Sequence, residues 1–423
     1  MSQVRLGLRE NLAQFSLLVA VTALVGAMVG LERSTLPLIG RDEFDVGSST
    51  AVLSFIVAFG LAKSFTNLGA GALADRIGRR RLLLLGWALA LPVPLLVGLA
   101  PNWGWIVAAN LFLGVNQGLT WSMTVVMKID LVGPKRRGFA LGLNEAAGYG
   151  GVAVAAAASG LLASEFAPRD VLVVAALAVA TIGLLLSLFF VRDTADHVAL
   201  EQVRNHADAD SAAPPLRRAF PDATYREPAL RSCSQAGLIN NLTDALAWGV
   251  IPLFLAAGGA SPAEVGVIAG LYPVVWGVGQ IWTGHWSDRV GRKPLIVAGM
   301  LVQAVALVLL AVSDAHLGIA AVSAVVLGAG TALVYPTLIA AVSDAVSPIA
   351  RAPTVGVYRF WRDMGYVVGG LVAGLAADAI DYSGAIVIVA GLSAASGLWV
   401  AFDMPARQSD QRRAVPADEP SKA

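Results

Sequence analysis

Nine ionisable residues lie inside long apolar runs, where a charge at mid-bilayer depth costs about 2.5–3.5 kcal/mol on the insertion scale. Four are acids (Glu32, Glu145, Asp244, Asp363) and five are bases (Arg33, Lys63, Lys128, Arg359, Arg362). Residues in such places bind a charged ligand, carry a proton or pair with one another. The densest group is Tyr358-Arg-Phe-Trp-Arg-Asp-Met-Gly365-Tyr366. At 1.5 Å per residue from Arg351, its charges sit roughly 12–18 Å deep. Arg359 and Arg362 are three apart and share a helix face; Arg359 and Asp363 are four apart and can pair. One cation is then left among Tyr358, Phe360, Trp361 and Tyr366. A forked guanidinium beside rings suits a carboxylate, a phosphate-like group or another planar anion. Asn240, Asn241, Asp244 and Trp248 fall on one polar helix stripe, expected to line a cavity with Asn116 and Gln117.

The elements that must hold these residues are membrane helices. Of 423 residues, 57% are apolar and 14% charged, with a mean hydropathy of +0.69. A soluble chain is nearer a quarter charged, so a soluble globular protein is excluded. The apolar runs are about 20 residues long, which suits helices and not the short alternating strands of a barrel. Twelve spans are expected, at 12–38, 48–72, 81–100, 103–132, 137–163, 170–191, 230–257, 263–287, 294–313, 316–346, 351–378 and 383–403. The polar stretch 192–229 contains Pro214-Pro215 and no amphipathic repeat, and reads as a linker. It separates one six-helix unit (1–191) from another (230–405), with a disordered tail over 406–423. No cleavable leader is expected. With the N-terminus in the cytoplasm, 23 of the 30 Lys and Arg fall in cytoplasmic segments and two, Arg41 and Arg169, in outer loops. Both termini are therefore expected to be cytoplasmic.

Composition also excludes other chemistries. One cysteine, Cys233, allows no internal disulfide or multi-cysteine metal site, and four histidines are scattered. No metal or cofactor is expected. A net charge of +1 offers no field for nucleic acid. No nucleophile elbow, zinc pattern or phosphate loop occurs, so no enzyme is expected.

The chain repeats itself. Gly71-Ala-Leu-Ala-Asp75-Arg76-Ile-Gly78-Arg79-Arg80 lies between spans 2 and 3, and Gly284-His-Trp-Ser-Asp288-Arg289-Val-Gly291-Arg292-Lys293 lies between spans 8 and 9. Pro37 and Pro252, and Gly142 and Gly356, repeat at nearly the same offset of about 213–215 residues. A duplicated six-helix unit with parallel repeats is a transporter architecture. The offset places Glu145, beside Asn144 in span 5, at the position equivalent to Arg359. The two are expected to face one another across a cavity, with a salt bridge from Glu145 to Arg359 or Lys63 as the alternative. Glu32 is placed at the outer end of span 1, Lys63 mid-membrane, and Lys128 is expected to snorkel to the surface.

The repeated loop resembles the signature of the major facilitator superfamily, and the resemblance covers about residues 10–405. It implies an all-α fold of twelve transmembrane helices in two pseudo-symmetric six-helix bundles, working as a monomer by alternating access within the bilayer. It implies a latch of Gly71, Asp75, Arg76, Gly78, Arg79 and Asp130, mirrored by Gly284, Asp288, Arg289, Gly291 and Arg292. Asp75, Arg79 and Asp130 would hold the outward-facing state. Two patterns of proton-coupled drug antiporters are missing: Asn110 stands where span 4 would carry Arg, and Gly148-Tyr-Gly-Gly-Val152 lacks a Gly-Pro pair. The expected function is proton-coupled efflux of a small charged organic molecule across the inner membrane, with Glu145, Glu32 or Asp244 as proton carrier. The alternative is an anion importer or exchanger using the span-11 arginines and Lys63.

Overall fold

A computed structural model describes residues 5–133, 137–205, 216–346 and 350–405; the side chains of 71, 72, 75, 137–141, 201–205, 284, 285 and 352 are outside that description. Every regular element among the described residues is helical. Span 1 is Leu12–Asp42. Span 2 is a turn, Ser49–Val52, continued by Ser54–Ile77. Span 3 is Arg79–Ala90 and Pro92–Gly98, and spans 4–6 are Trp103–Val132, Arg137–Leu162 and Pro168–Phe189. Spans 7–12 are Pro228–Ala257, Pro262–Val290, Arg292–Ala311, Leu317–Asp344, Arg351–Ala379 and Tyr382–Asp403. The chain is thus a multi-pass helical membrane protein of two six-helix bundles. Nine of these helices, among the described residues, are long and apolar enough to cross a membrane. The three long helices outside that set are spans 4, 5 and 11, which hold Asn116, Gln117, Glu145, Arg359, Arg362 and Asp363.

Local chemistry sets the helix ends. Asn102 caps span 4 through the Gly104 amide, a Ser261–Glu264 capping box opens span 8, and Asp381 caps span 12 through the Gly384 amide. Pro168, Pro228 and Pro262 open their helices, where no amide donor is needed. Gly78 and Gly291 take φ of 97° and 104° between spans 2 and 3 and spans 8 and 9, which side-chain-bearing residues rarely adopt. The side of the molecule holding these two turns is called the signature face below, and the opposite side the far face.

Within each bundle, close backbone approach packs the helices. A Cβ on Gly26 of span 1 would lie 1.9 Å from the Gly148 carbonyl of span 5, and one on Gly365 of span 11 would lie 2.2 Å from the Leu238 carbonyl of span 7. Between the bundles, spans 2 and 11 and spans 5 and 8 meet. On the far face, Asp378 at the end of span 11 accepts hydrogen bonds from Ser48 Oγ (2.6 Å), Thr50 Oγ1 (2.7 Å) and the amides of Ser49 (2.5 Å) and Thr50 (3.0 Å). The far face is closed. Nearer the signature face, Gly142 and Gly356 have nothing within 4 Å of where a Cβ would stand.

The linker differs from expectation. It carries a helix at Ala195–Asn205 and a second at Leu216–Pro221 running into a wide π-turn, Asp222–Arg226. The sequence pattern hid the second piece because it is stabilised by contact: Phe220 packs on Phe360, and Trp361 Nε1 donates to Thr224 Oγ1 at 2.9 Å. In the first piece, His197 lies beside Asn11 at 3.2 Å, and partial burial lowers its pKa against the opposing pull of Asp196. The expected disordered tail at 406–423 lies outside the described residues.

Candidate substrate and coupling site

The central charges divide into a paired set and an unpaired set. Asp363 is the hub of the first. Its Oδ1 accepts from Arg362 Nη2 (2.8 Å), Arg362 Nε (3.0 Å) and Asn241 Nδ2 (3.3 Å), and its Oδ2 accepts from Asn67 Nδ2 (2.5 Å). Arg362 Nη1 donates to Tyr335 Oη at 2.6 Å, and Tyr149 Oη donates to the same oxygen at 3.2 Å. Asn67 and Tyr149 belong to the first bundle, the rest to the second, so the hub stitches the bundles together. Tyr149 also lies on Trp276, with ring centroids 3.6 Å apart.

The pairing within span 11 differs from the expected Arg359–Asp363 pair. Adjacent residues point about 100° apart on a helix, yet the long Arg362 arm curls back to its neighbour's carboxylate. Arg359 is half-buried and its Nε has no partner. Tyr358 and Trp361 each pack on another element. Tyr358 is fully buried against Gly237 of span 7, and Trp361 faces the linker turn.

Three other acids are unpaired. Glu145 accepts from Trp121 Nε1 and Asn144 Nδ2, both at 3.0 Å on Oε1, and its Oε2 has no partner. Asp244 accepts from Tyr272 Oη on Oδ1, and its Oδ2 has no partner. Glu32 is buried with Oε2 unpartnered. Among the described residues none of the three forms an ion pair. The alternative expectation, a salt bridge from Glu145 to Arg359 or Lys63, is not met among the described residues. Pseudo-symmetry relates positions in two bundles without making them neighbours. Glu32 also lies deeper than expected, because span 1 continues to Asp42, about 15 Å beyond it.

The cations show the same division. Lys63 is buried and has no hydrogen bond or ion pair among the described residues; its Nζ lies over Phe59 (5.3 Å), Tyr366 (5.4 Å) and Trp121 (5.7 Å). Arg33 is fully buried, with none of its nitrogens partnered. Lys128 does not snorkel. It is buried and donates to Thr22 Oγ1 (2.6 Å) and the Leu18 carbonyl (3.2 Å), tying span 4 to span 1. Asn116 and Gln117 likewise clamp helices, donating to the Gly86 and Val25 carbonyls at 2.8 Å each. Asn144 bridges Thr22 and Glu145, while Asn240 accepts from Gln303 at 2.8 Å. Trp248 stacks on Tyr366, rings 5.7 Å apart.

The loop signatures form two matching ion pairs. Arg79 Nε lies 2.7 Å from Asp130 Oδ2, which also accepts from Thr194 Oγ1 at 2.6 Å. Arg292 Nε lies 3.0 Å from Asp344 Oδ2, with Nη2 2.7 Å from Asp288. Arg80 donates to the Leu188 and Val191 carbonyls below span 6, and Lys293 to the Met404 carbonyl below span 12. Arg76 and Arg289 are exposed. The side chain of Asp75, and the surroundings of Gly71 and Gly284, lie outside the described residues. Both pairs lie within single bundles and stand together with the Asp378 clamp on the far face.

A family model described as Major Facilitator Superfamily matches residues 11–229 and 234–422. The chain belongs to the major facilitator superfamily. It is a membrane transporter of that superfamily. It is 24% identical over 382 residues to the multidrug resistance protein MdtG of Salmonella heidelberg (strain SL476), covering 87% of this chain and 90% of that one. A shorter stretch of 65 residues, 15% of this chain and 14% of the relative, is 48% identical to the inner membrane transport protein YajR of Escherichia coli (strain K12). A third relative, named "Probable 4-methylmuconolactone transporter", of Cupriavidus pinatubonensis (strain JMP 134 / LMG 1197), is 26% identical over 61% of this chain and 58% of its own. The fold matches the nucleoside transporter NupG, with a TM-score of 0.70 at 16% identity over 91% of this chain and 99% of that one.

Several residues that shape this superfamily member's centre were not singled out from sequence: Asn67, Tyr149, Tyr272 and Arg33 as a site residue. Asp344 was legible, since it lies 214 residues after Asp130. Asn67, Tyr149 and Tyr272 are amide or aromatic residues that sequence alone does not separate from packing, and Arg33 was legible as an intramembrane charge but not as the centre of a ring cage.

Proposed function

We propose that the chain moves a small charged organic molecule across a bacterial inner membrane by alternating access, exporting it in exchange for protons. In this reading the signature face and both termini are cytoplasmic, and the six-helix units 1–191 and 230–405, joined by 192–229, rock as a monomer. The observation that carries the reading is the set of buried acids, Glu32, Glu145 and Asp244, each with a free carboxylate oxygen and no ion pair among the described residues. A buried carboxyl without a cation is relieved of its desolvation cost by taking up a proton. The Asp363–Arg362 hub is the conformational hinge of this reading, and the pairs Arg79–Asp130 and Arg292–Asp344 are the latches at the cytoplasmic ends.

The second reading, import or exchange of an anion, is favoured by the unpaired cations Lys63 and Arg359 near the same seam. Purified protein in liposomes with an internal pH dye separates the two. Substrate-dependent proton movement that is lost in Glu145→Gln supports exchange for protons. Anion flux without a pH change, lost in Arg359→Ala, overturns it.

A further inference from the structure

Arg33 is the strangest residue in the protein. It is fully buried, and its Nε, Nη1 and Nη2 all lack an acceptor. Its Cζ lies 4.4 Å from the Phe59 ring centroid, 5.3 Å from Trp248 and 5.5 Å from Phe55. Ring faces hold a cation by their quadrupole, yet offer no lone pairs to five N–H donors in a rigid fork. The Nε1 of Trp248 is buried and unpartnered as well. Glu32 and Asp244 each keep a free oxygen, but neither forms an ion pair with Arg33 among the described residues.

The cage is built across the seam. Arg33, Phe55 and Phe59 come from the first bundle; Trp248, and Tyr366 stacked on it, come from the second. It lies about 14 Å below the far-face end of span 1, beneath the Asp378 clamp on Ser48–Thr50. Separation of the bundles on the far face would part the rings and expose the guanidinium.

We propose that Arg33, with Phe55, Phe59 and Trp248, binds the carboxylate of a planar aromatic or conjugated monocarboxylate substrate. This rests on the reading that the chain moves a small charged organic molecule. A carboxylate is planar and accepts two parallel bonds from a guanidinium fork, while a flat body fits between ring faces. Lys63, on Phe59 from its own side, adds a second unpaired cation.

The test is saturable binding of radiolabelled benzoate and cinnamate to the purified full-length protein in detergent, with benzamide as the neutral isostere. The expected result is binding of both carboxylates, benzamide at least tenfold weaker, a tenfold or greater loss in Arg33→Lys, and no binding in Arg33→Gln. Arg226→Gln, on the linker, leaves binding unchanged. If Arg33→Gln does not fold, Trp248→Leu and Phe59→Leu, checked by thermal unfolding, must each lose at least fivefold. Absence of carboxylate binding by the wild type, or wild-type affinity in the folded Arg33 or ring variants, overturns the proposal. If carboxylates fail but liposomes move a charged compound of another class, only this inference falls. If no charged compound is moved, the transport reading falls with it.

Discussion

Two buried charged groups sit at one seam and are built in opposite ways. The Arg362–Asp363 group has its carboxylate filled by donors from three helices. Around Arg33 the donors have no acceptors, and nearby Glu32 and Asp244 keep free oxygens. Filling every lone pair makes a buried charge structural, because removing one partner strands the rest. Leaving them open makes a group that something mobile must satisfy: a proton, a substrate, or a partner in another conformation. On the proposed reading, sorting intramembrane charges by satisfaction, and not by depth, separates residues that hold the fold from residues that serve transport.

The contrast is sharpest in stability. Asp363→Ala strands Arg362, Asn67 and Asn241, and is expected to cost ~3–5 kcal/mol, read as a large fall in thermal unfolding temperature in detergent. Glu145→Gln keeps the shape and the acceptor oxygen for Trp121 and Asn144, and should cost under about 1 kcal/mol while abolishing proton coupling. If both variants unfolded alike, the division into structural and mobile charges would fail.

A smaller effect is expected at the loop signatures, where the two bundles can be compared. The Arg79–Asp130 side chains are 14% and 10% exposed, against 21% and 59% for Arg292–Asp344. Arg79→Ala should therefore slow transport and lower stability more than Arg292→Ala. The latter should change stability by about 0–1 kcal/mol, and the effect should fade in high salt. Equal losses would mean that burial does not set the strength of these latches. The mildest change is Asp378→Asn on the far face. Its carboxylate is exposed, so little stability should be lost. The bundles should open there more often, read as faster alkylation of a cysteine introduced at Leu53.

Much of the fold was legible. Helix length is dictated by the bilayer, so twelve spans could be placed within a few residues, and the 213–215 offset exposed the duplication. What the sequence could not supply was azimuth. Asn116 and Gln117 are polar residues on a membrane helix, which fits a cavity wall and a helix clamp equally; only the Gly86 and Val25 carbonyls decide for the clamp. The offset correctly pairs Asp344 with Asp130, since both act within their own bundle. The same offset makes Glu145 and Arg359 equivalent without giving an ion pair between them among the described residues, because equivalence between bundles says nothing about contact across them. The Arg33 cage draws rings from residues 22 to 215 positions away, a distance at which no local pattern survives.

The central claim is that the unsatisfied acids carry protons while the satisfied one holds the bundles together. The most direct measurement is pH-dye flux in liposomes for the wild type, Glu32→Gln, Glu145→Gln and Asp244→Asn, with substrate binding followed in parallel. The account predicts that at least one of the three variants binds substrate as the wild type does and moves no protons. Wild-type proton movement in all three would contradict it.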